Sequence, residues 1–183
     1  MAAFKIPFMS DFISGFSFDG FRRIKVEQGT SSFDIGRDFR AFKELSVPAA
    51  ESYIIKVIVP IDIKLTNLTI LVDAGTLRIT TEVGGTEGGT FTTLGPIIPK
   101  NNRSDRLQPF YVSQVAALGG GTLTGGSIID VARLAAGNSA NSSSVGGAVQ
   151  DARGIAAGTY YFRFENVGSG ISTGVFYANW SEI

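Results

Sequence analysis

Apolar residues recur at every second position in this chain, in short runs that glycine or proline cuts off. Residues 52–59 show it most clearly. Tyr53, Ile55, Val57 and Val59 fall on one side, and Ile54, Lys56 and Ile58 on the other. Residues 76–83 set Leu77, Ile79 and Val83 against Arg78, Thr80 and Glu82. Residues 158–166 set Tyr160, Phe162 and Phe164 against Tyr161, Arg163 and Glu165. A period of two makes a continuous apolar face only on a pleated strand. Further strands are predicted over 21–28, 40–47, 62–72, 91–94, 110–118, 127–134 and 173–180. In 40–47 the apolar positions are Phe42, Leu45 and Val47. In 62–72 the parity changes from Ile63 and Leu65 to Leu68, Ile70 and Val72, which predicts a bulge or bend. Gly168-Ser169-Gly170 predicts a hairpin before the last strand. About nine short strands at roughly 10–15-residue spacing predict an all-β fold, an antiparallel β-sandwich of jelly-roll-like type.

The first 20 residues break this pattern. Six of the 14 Phe lie within the first 21 positions. Phe4, Phe8, Phe12 and Phe16 are four apart, so a helix would align them in one drifting stripe. Pro7, Gly15 and Gly20 oppose a long helix. The expected organisation is an extended or short helical arm over 1–20 and a sandwich over 21–183. The arm's Phe4, Phe8, Phe12, Phe16 and Phe18 are the candidate partner-binding residues. They dock either on the chain's own core or on a neighbouring subunit.

Composition removes several chemistries. The chain of 183 residues has no Cys and no His. That removes thiolate nucleophiles, disulfides, cysteine zinc sites, Ser–His catalysis and imidazole ligation. Lys plus Arg equals Asp plus Glu, 16 each. Balanced charge argues against a general nucleic-acid binder and weakens repulsion between copies. No apolar run approaches the ~20 residues of a membrane helix, and the N-terminus lacks a signal-peptide core. The expectation is a protein made in the cytosol, without cofactor and without membrane contact.

The glycine-rich runs GGTEGGT (84–90) and GGGTLTGGS (119–127) invite comparison with a phosphate cradle. A cradle of that kind needs a Gly-Lys step at a helix start, and neither run has one. They read instead as hairpin connections that exploit positive φ. Asp34, Asp38, Glu82, Glu87, Asp105, Asp130 and Asp151 are scattered, and no signature pairs them as glycosidases pair theirs. Calcium could use oxygens of the 101–105 or 138–151 segments, although no EF-hand run is present. Tyr160, Tyr161, Tyr177 and Trp180 could stack on sugar rings or fill the core. Residues 96–109 and 137–148 have loop composition.

Several runs carry a family likeness. They are GGTEGGTFTTLG (84–95), Asn101-Asn102, PFYVSQV (109–115), GGTLTGGSIIDVARL (120–134), Arg153-Gly154, GTYYFRFEN (158–166) and a closing Gly174-x-x-Tyr177-x-x-Trp180-x-Glu182. Together they resemble small virion structural proteins of tailed bacteriophages, over residues 21–183. The resemblance implies a non-enzymatic β-sandwich subunit, a capsid decoration (cement) protein. It implies a homotrimer, with the major capsid protein or other virion subunits as partners. Two other classes stay open: a carbohydrate- or receptor-binding module of a tail, neck or fibre, and a hydrolase built on two carboxylates.

Overall fold

The computed structural model describes residues 16–18, 24–26, 36–100, 112–136 and 153–182. The chain divides into two compact units, Met1–Ser31 and Ser32–Ile183. In the first, β1 (Phe16–Phe18) pairs antiparallel with β2 (Ile24–Val26). Phe4, Phe8 and Phe12 lie outside the described residues, as do 101–111 and 137–152.

The second unit is all β among the described residues. Its strands are β3 (Asp38–Val47), β4 (Ser52–Val59), β5 (Ile63–Ala74), β6 (Thr76–Val83), β7 (Thr86–Thr93), β8 (Ile98–Pro99), β9 (Ala116–Thr124), β10 (Ser127–Ala135), β11 (Arg153–Ile155), β12 (Gly158–Asn166) and β13 (Ser172–Glu182). They form two antiparallel sheets, ordered β11-β5-β13-β3-β8 and β10-β6-β12-β4-β9-β7. The steps β3 to β4, β4 to β5, β5 to β6, β10 to β11, β11 to β12 and β12 to β13 all pass from one sheet to the other. The predicted alternation positions the core. Leu45, Val47, Val72 and Phe176 of the smaller sheet pack with Ile55, Leu77, Ile79, Leu134 and Phe164 of the larger. Phe164 and Phe176 meet edge-to-face at 5.8 Å, and Phe39 lies 6.1 Å from Trp180. This is a β-sandwich.

The parity change in β5 has the expected cause. Asn67 pairs Asn179 but Leu65 pairs Trp180, so Thr66 is an extra residue. Its hydroxyl donates to the Asn179 carbonyl at 3.1 Å.

Three expectations need correcting. Phe42 points outward and stacks on Tyr177 at 5.8 Å, while Ala41, Leu45 and Val47 face the core. Alternation from Phe39 sets this parity, and Phe42 is the apolar exception on the outer face. The strand expected over 110–118 begins at Ala116, because Ser113, Gln114 and Val115 bond to Glu182 at the β13 terminus instead of pairing with a strand. The glycine-rich runs are mostly strand. β6 and β7 continue one another through Gly84-Gly85, and β9 and β10 through Gly125-Gly126. Since β6 pairs β10 and β7 pairs β9, the four make one long two-stranded ribbon. It leaves one edge of the larger sheet, crosses over the outer face and rejoins at the other edge. Gly85, at φ 93°, makes the corner. A Cβ there would lie 2.9 Å from the Thr124 carbonyl oxygen.

Gly174 shows how tightly β13 sits. A Cβ on it would stand 2.1 Å from the Leu71 carbonyl oxygen, beside the second bulge of β5. The Gly174→Ala substitution should therefore destabilise the protein by about 1–3 kcal/mol, the range for overpacking. Gly154→Ala, with open space around it, should be nearly neutral. Urea denaturation of the two variants checks this, and equal midpoints would contradict the close approach.

Candidate functional site

The outer face of the larger sheet carries the densest polar chemistry among the described residues. Alternation along β12, β6 and β4 sends Tyr161, Arg163, Thr80, Glu82, Ile54 and Lys56 to this side. The ribbon lies over them. Arg163 grips Glu82 with two hydrogen bonds, Nε to Oε1 at 2.7 Å and Nη2 to Oε2 at 3.1 Å. Nη2 also donates to the Leu123 carbonyl at 2.9 Å, and the Thr80 hydroxyl donates to Glu82 Oε1 at 2.8 Å. The guanidinium holds the Glu82 carboxyl below the ordinary carboxylate value, against a burial that would raise it. Nearer the tip, the Tyr161 hydroxyl donates to Glu87 Oε1 at 2.5 Å. Lys56 Nζ lies 2.6 Å from the same carboxylate oxygen and sits over the Phe91 ring. Burial first, and then Glu87, push the Tyr161 hydroxyl up to about 12. Ile54, Leu123 and Tyr161 form a small apolar cluster beneath the ribbon, with Phe91 packed against it.

A polar hollow of about 380 Å³ lies beside this network, lined by Glu51, Glu82 and Glu165 together with Arg78 and Arg163. Hydrolysis by paired carboxylates needs one kept protonated near neutrality. Glu82 is held ionised, and Glu165 pairs with Arg78 at 3.3 Å. The chemistry here is that of a clasp. Among the described residues no three acidic side chains converge as a metal site requires.

A second clasp closes the C-terminus. Buried Glu182 accepts hydrogen bonds from the Ser113 hydroxyl at 2.5 Å, the Gln114 N–H at 3.0 Å and the Trp180 indole N–H at 3.4 Å. Trp180 and Tyr161 are 3% and 5% exposed, so neither ring offers the sugar platform weighed from the sequence. Tyr160 is half-buried and its hydroxyl donates to the Ala156 carbonyl. Tyr161 faces outward but lies under the ribbon, whereas Tyr177 faces outward on the smaller sheet and stacks with Phe42. Neither clasp is legible in the sequence, although alternation sets Arg163, Glu82 and Lys56 each on the opposite side of its strand from the main apolar row.

Exposed apolar surface concentrates on β10. This nine-residue edge strand pairs with β6 alone among the described residues. Ile128, Ile129 and Val131 are 53%, 57% and 54% exposed. Of the arm residues, Phe16 and Phe18 fall in β1, and the calcium segments proposed at 101–105 and 138–151 lie outside the described residues. No protein family, curated protein or solved structure matches this chain.

Two measurements check the clasp. Arg163→Ala leaves buried Glu82 without its counter-charge and should cost about 2–3 kcal/mol, whereas Arg163→Met with Glu82→Met should recover most of it. A double variant no better than the single one would contradict the pairing. Stability should also be flat between about pH 6 and 9, since no His titrates there. Glu82 and Glu87 have lowered carboxyls, so their contribution is present above 4.5 and lost as pH falls below it. Tyr161 is raised, so its contribution is full below 10.0 and lost as pH climbs towards about 12. Denaturation midpoints across pH test both limbs.

Proposed function

We propose that this chain is a non-enzymatic structural subunit that works by packing against copies of itself and a larger shell. The observation that carries the reading is the strand order. Four strands run β3-β13-β5-β11 and four run β4-β12-β6-β10, with the chain passing between sheets at nearly every step. This supports reading the fold as a jelly roll whose extra hairpin, β7 and β9, is the folded ribbon. Jelly rolls recur in viral capsid and lectin domains. Fold alone does not name a function. The apolar rim of β10 and the ion pairs committed to holding strands together point the same way.

The finer reading follows the sequence resemblance. The chain is a capsid decoration (cement) protein of a tailed bacteriophage, located in the virion and acting as a homotrimer. It binds the major capsid protein through Phe4, Phe8, Phe12, Phe16 and Phe18. Many weak symmetric contacts then add up on a closed particle. A second reading, a carbohydrate- or receptor-binding module of a tail or neck, is favoured by one observation. The outward Phe42–Tyr177 stack, with an interplanar angle of 20°, is an aromatic surface of the kind sugar rings use.

Deleting residues 1–20 should leave the thermal transition of Ser32–Ile183 in place and remove binding to undecorated heads. Co-sedimentation with empty heads reads this directly. Decoration at full occupancy by the truncated chain contradicts the arm as anchor. Loss of sugar binding on Tyr177→Ala, with no binding to heads by either form, favours the second reading.

A further inference from the structure

The sandwich interior is not filled along its whole length. A cavity of about 590 Å³ lies between the sheets, within the range of small-molecule sites. It exists because inward positions carry small side chains. Ala41 and Ala178 are register partners on β3 and β13, and Ala117 partners Val57 across β9 and β4; both pairs line the space. The cavity draws lining residues from β9, β4, β12, β6 and β10 in turn, so it crosses four inter-strand spacings. At ~4.8 Å each that is about 19 Å. Its shape is therefore long.

Two bulges aim side chains into it. The bulge in β5 lets Leu65 and Leu68, of opposite parity, both line the cavity. The bulge in β10 makes Ile129 an extra residue, so that Ile129 and Asp130, adjacent in sequence, both reach the space. Ile129 is well exposed, and with Ile155 of β11 it marks the mouth, where an edge strand of each sheet supplies one side. Bulges that re-aim side chains are frequent beside functional sites.

We propose that this cavity binds an uncharged, elongated apolar small molecule whose polar end is a hydroxyl or an amide. Left dry and empty, an apolar void of this size would offset a domain's entire net stability. Walls that are mostly Val, Ile, Leu, Phe, Trp and Ala give water few partners. The polar groups select the ligand's charge. Among the described residues no Lys or Arg lines the cavity, and Asp130 stands at the mouth. Asp130 Oδ1 accepts the Val131 N–H at 2.8 Å, which leaves Oδ2 to accept from a ligand. The Tyr160 hydroxyl spends its proton on Ala156 and offers lone pairs. A fatty-acid carboxylate or a phosphate headgroup meets a like charge there, whereas an alcohol or amide finds acceptors.

The test titrates the full-length protein with N-phenyl-1-naphthylamine, an uncharged fluorescent apolar probe. Displacement by 1-dodecanol is then compared with displacement by dodecanoate. The expected result is saturable probe binding, displaced at least tenfold more readily by dodecanol. Ala117→Leu should weaken probe binding at least tenfold while holding or raising Tm, because it fills the void. Asp130→Lys, on the exposed rim, should reverse the preference towards dodecanoate. This second variant keeps the test decisive if Ala117→Leu fails to fold. Absence of saturable binding to the unaltered protein overturns the proposal. So does a lowered Tm in a folded Ala117→Leu protein, which would mean that the chain itself occupies the space. A dodecanol preference that Asp130→Lys leaves unchanged overturns the charge selection.

Discussion

The crossing from β12 to β13 is the constraint on which the sandwich depends. β12 is central to the larger sheet and β13 to the smaller, and only a short connection separates them in sequence. Phe162 and Phe164 on one strand meet Phe176 on the other at 5.4 Å and 5.8 Å. These aromatic contacts hold the two layers in register, and each layer then recruits its neighbours by strand pairing. Asn166 locks the crossing. Its amide donates to the Val47 and Gly170 carbonyls, both at 2.7 Å, and its oxygen accepts the Gly168 N–H. The fold thus needs its last strands before the first can settle, and its contacts are overwhelmingly long-range, a topology that folds slowly.

The charged groups follow from the same architecture. A ribbon that leaves its sheet and crosses the outer face must be tied down there, and backbone pairing alone cannot do it. Arg163 reaches from the central strand to both a carboxylate and a ribbon carbonyl. Glu87 returns from the ribbon to Tyr161 and Lys56. Of the acidic residues weighed for catalysis, these two are consumed in holding strands. A chain without His or Cys has then spent its most perturbed groups on structure. That is the physical content of the structural-subunit reading.

Much of the fold was legible because alternation is a local signal. The bounds of β4, β6 and β12, the division of each into two sides, and the bulge in β5 are legible from residue alternation and its breaks. The ribbon was not legible. Glycines normally interrupt strands, and GGTEGGT and GGGTLTGGS read as connections. They are strands because each pairs with the other, which no local window contains. Phe42 misled for a related reason, since an outward aromatic breaks the alternation it sits in. The clasps were hidden because Glu82 and Arg163 are 81 residues apart and meet only through sheet pairing. Burial of Trp180 and Tyr161 was equally a tertiary outcome, and it removed two of the four rings considered for sugar binding.

A row of exposed apolar side chains runs along β10, where Ile128, Ile129 and Val131 border a strand edge that pairs only with β6 among the described residues. Such an edge is a template for association. Asp130 and Arg133 are the charges that moderate it. Hydrogen exchange of the β10 amides against protein concentration tests the structural-subunit account most directly. The account predicts rapid exchange in dilute solution and growing protection at 127–135 as copies associate, with β12 and β13 slow throughout. Exchange at β10 that is independent of concentration, in a protein that stays monomeric, would contradict it.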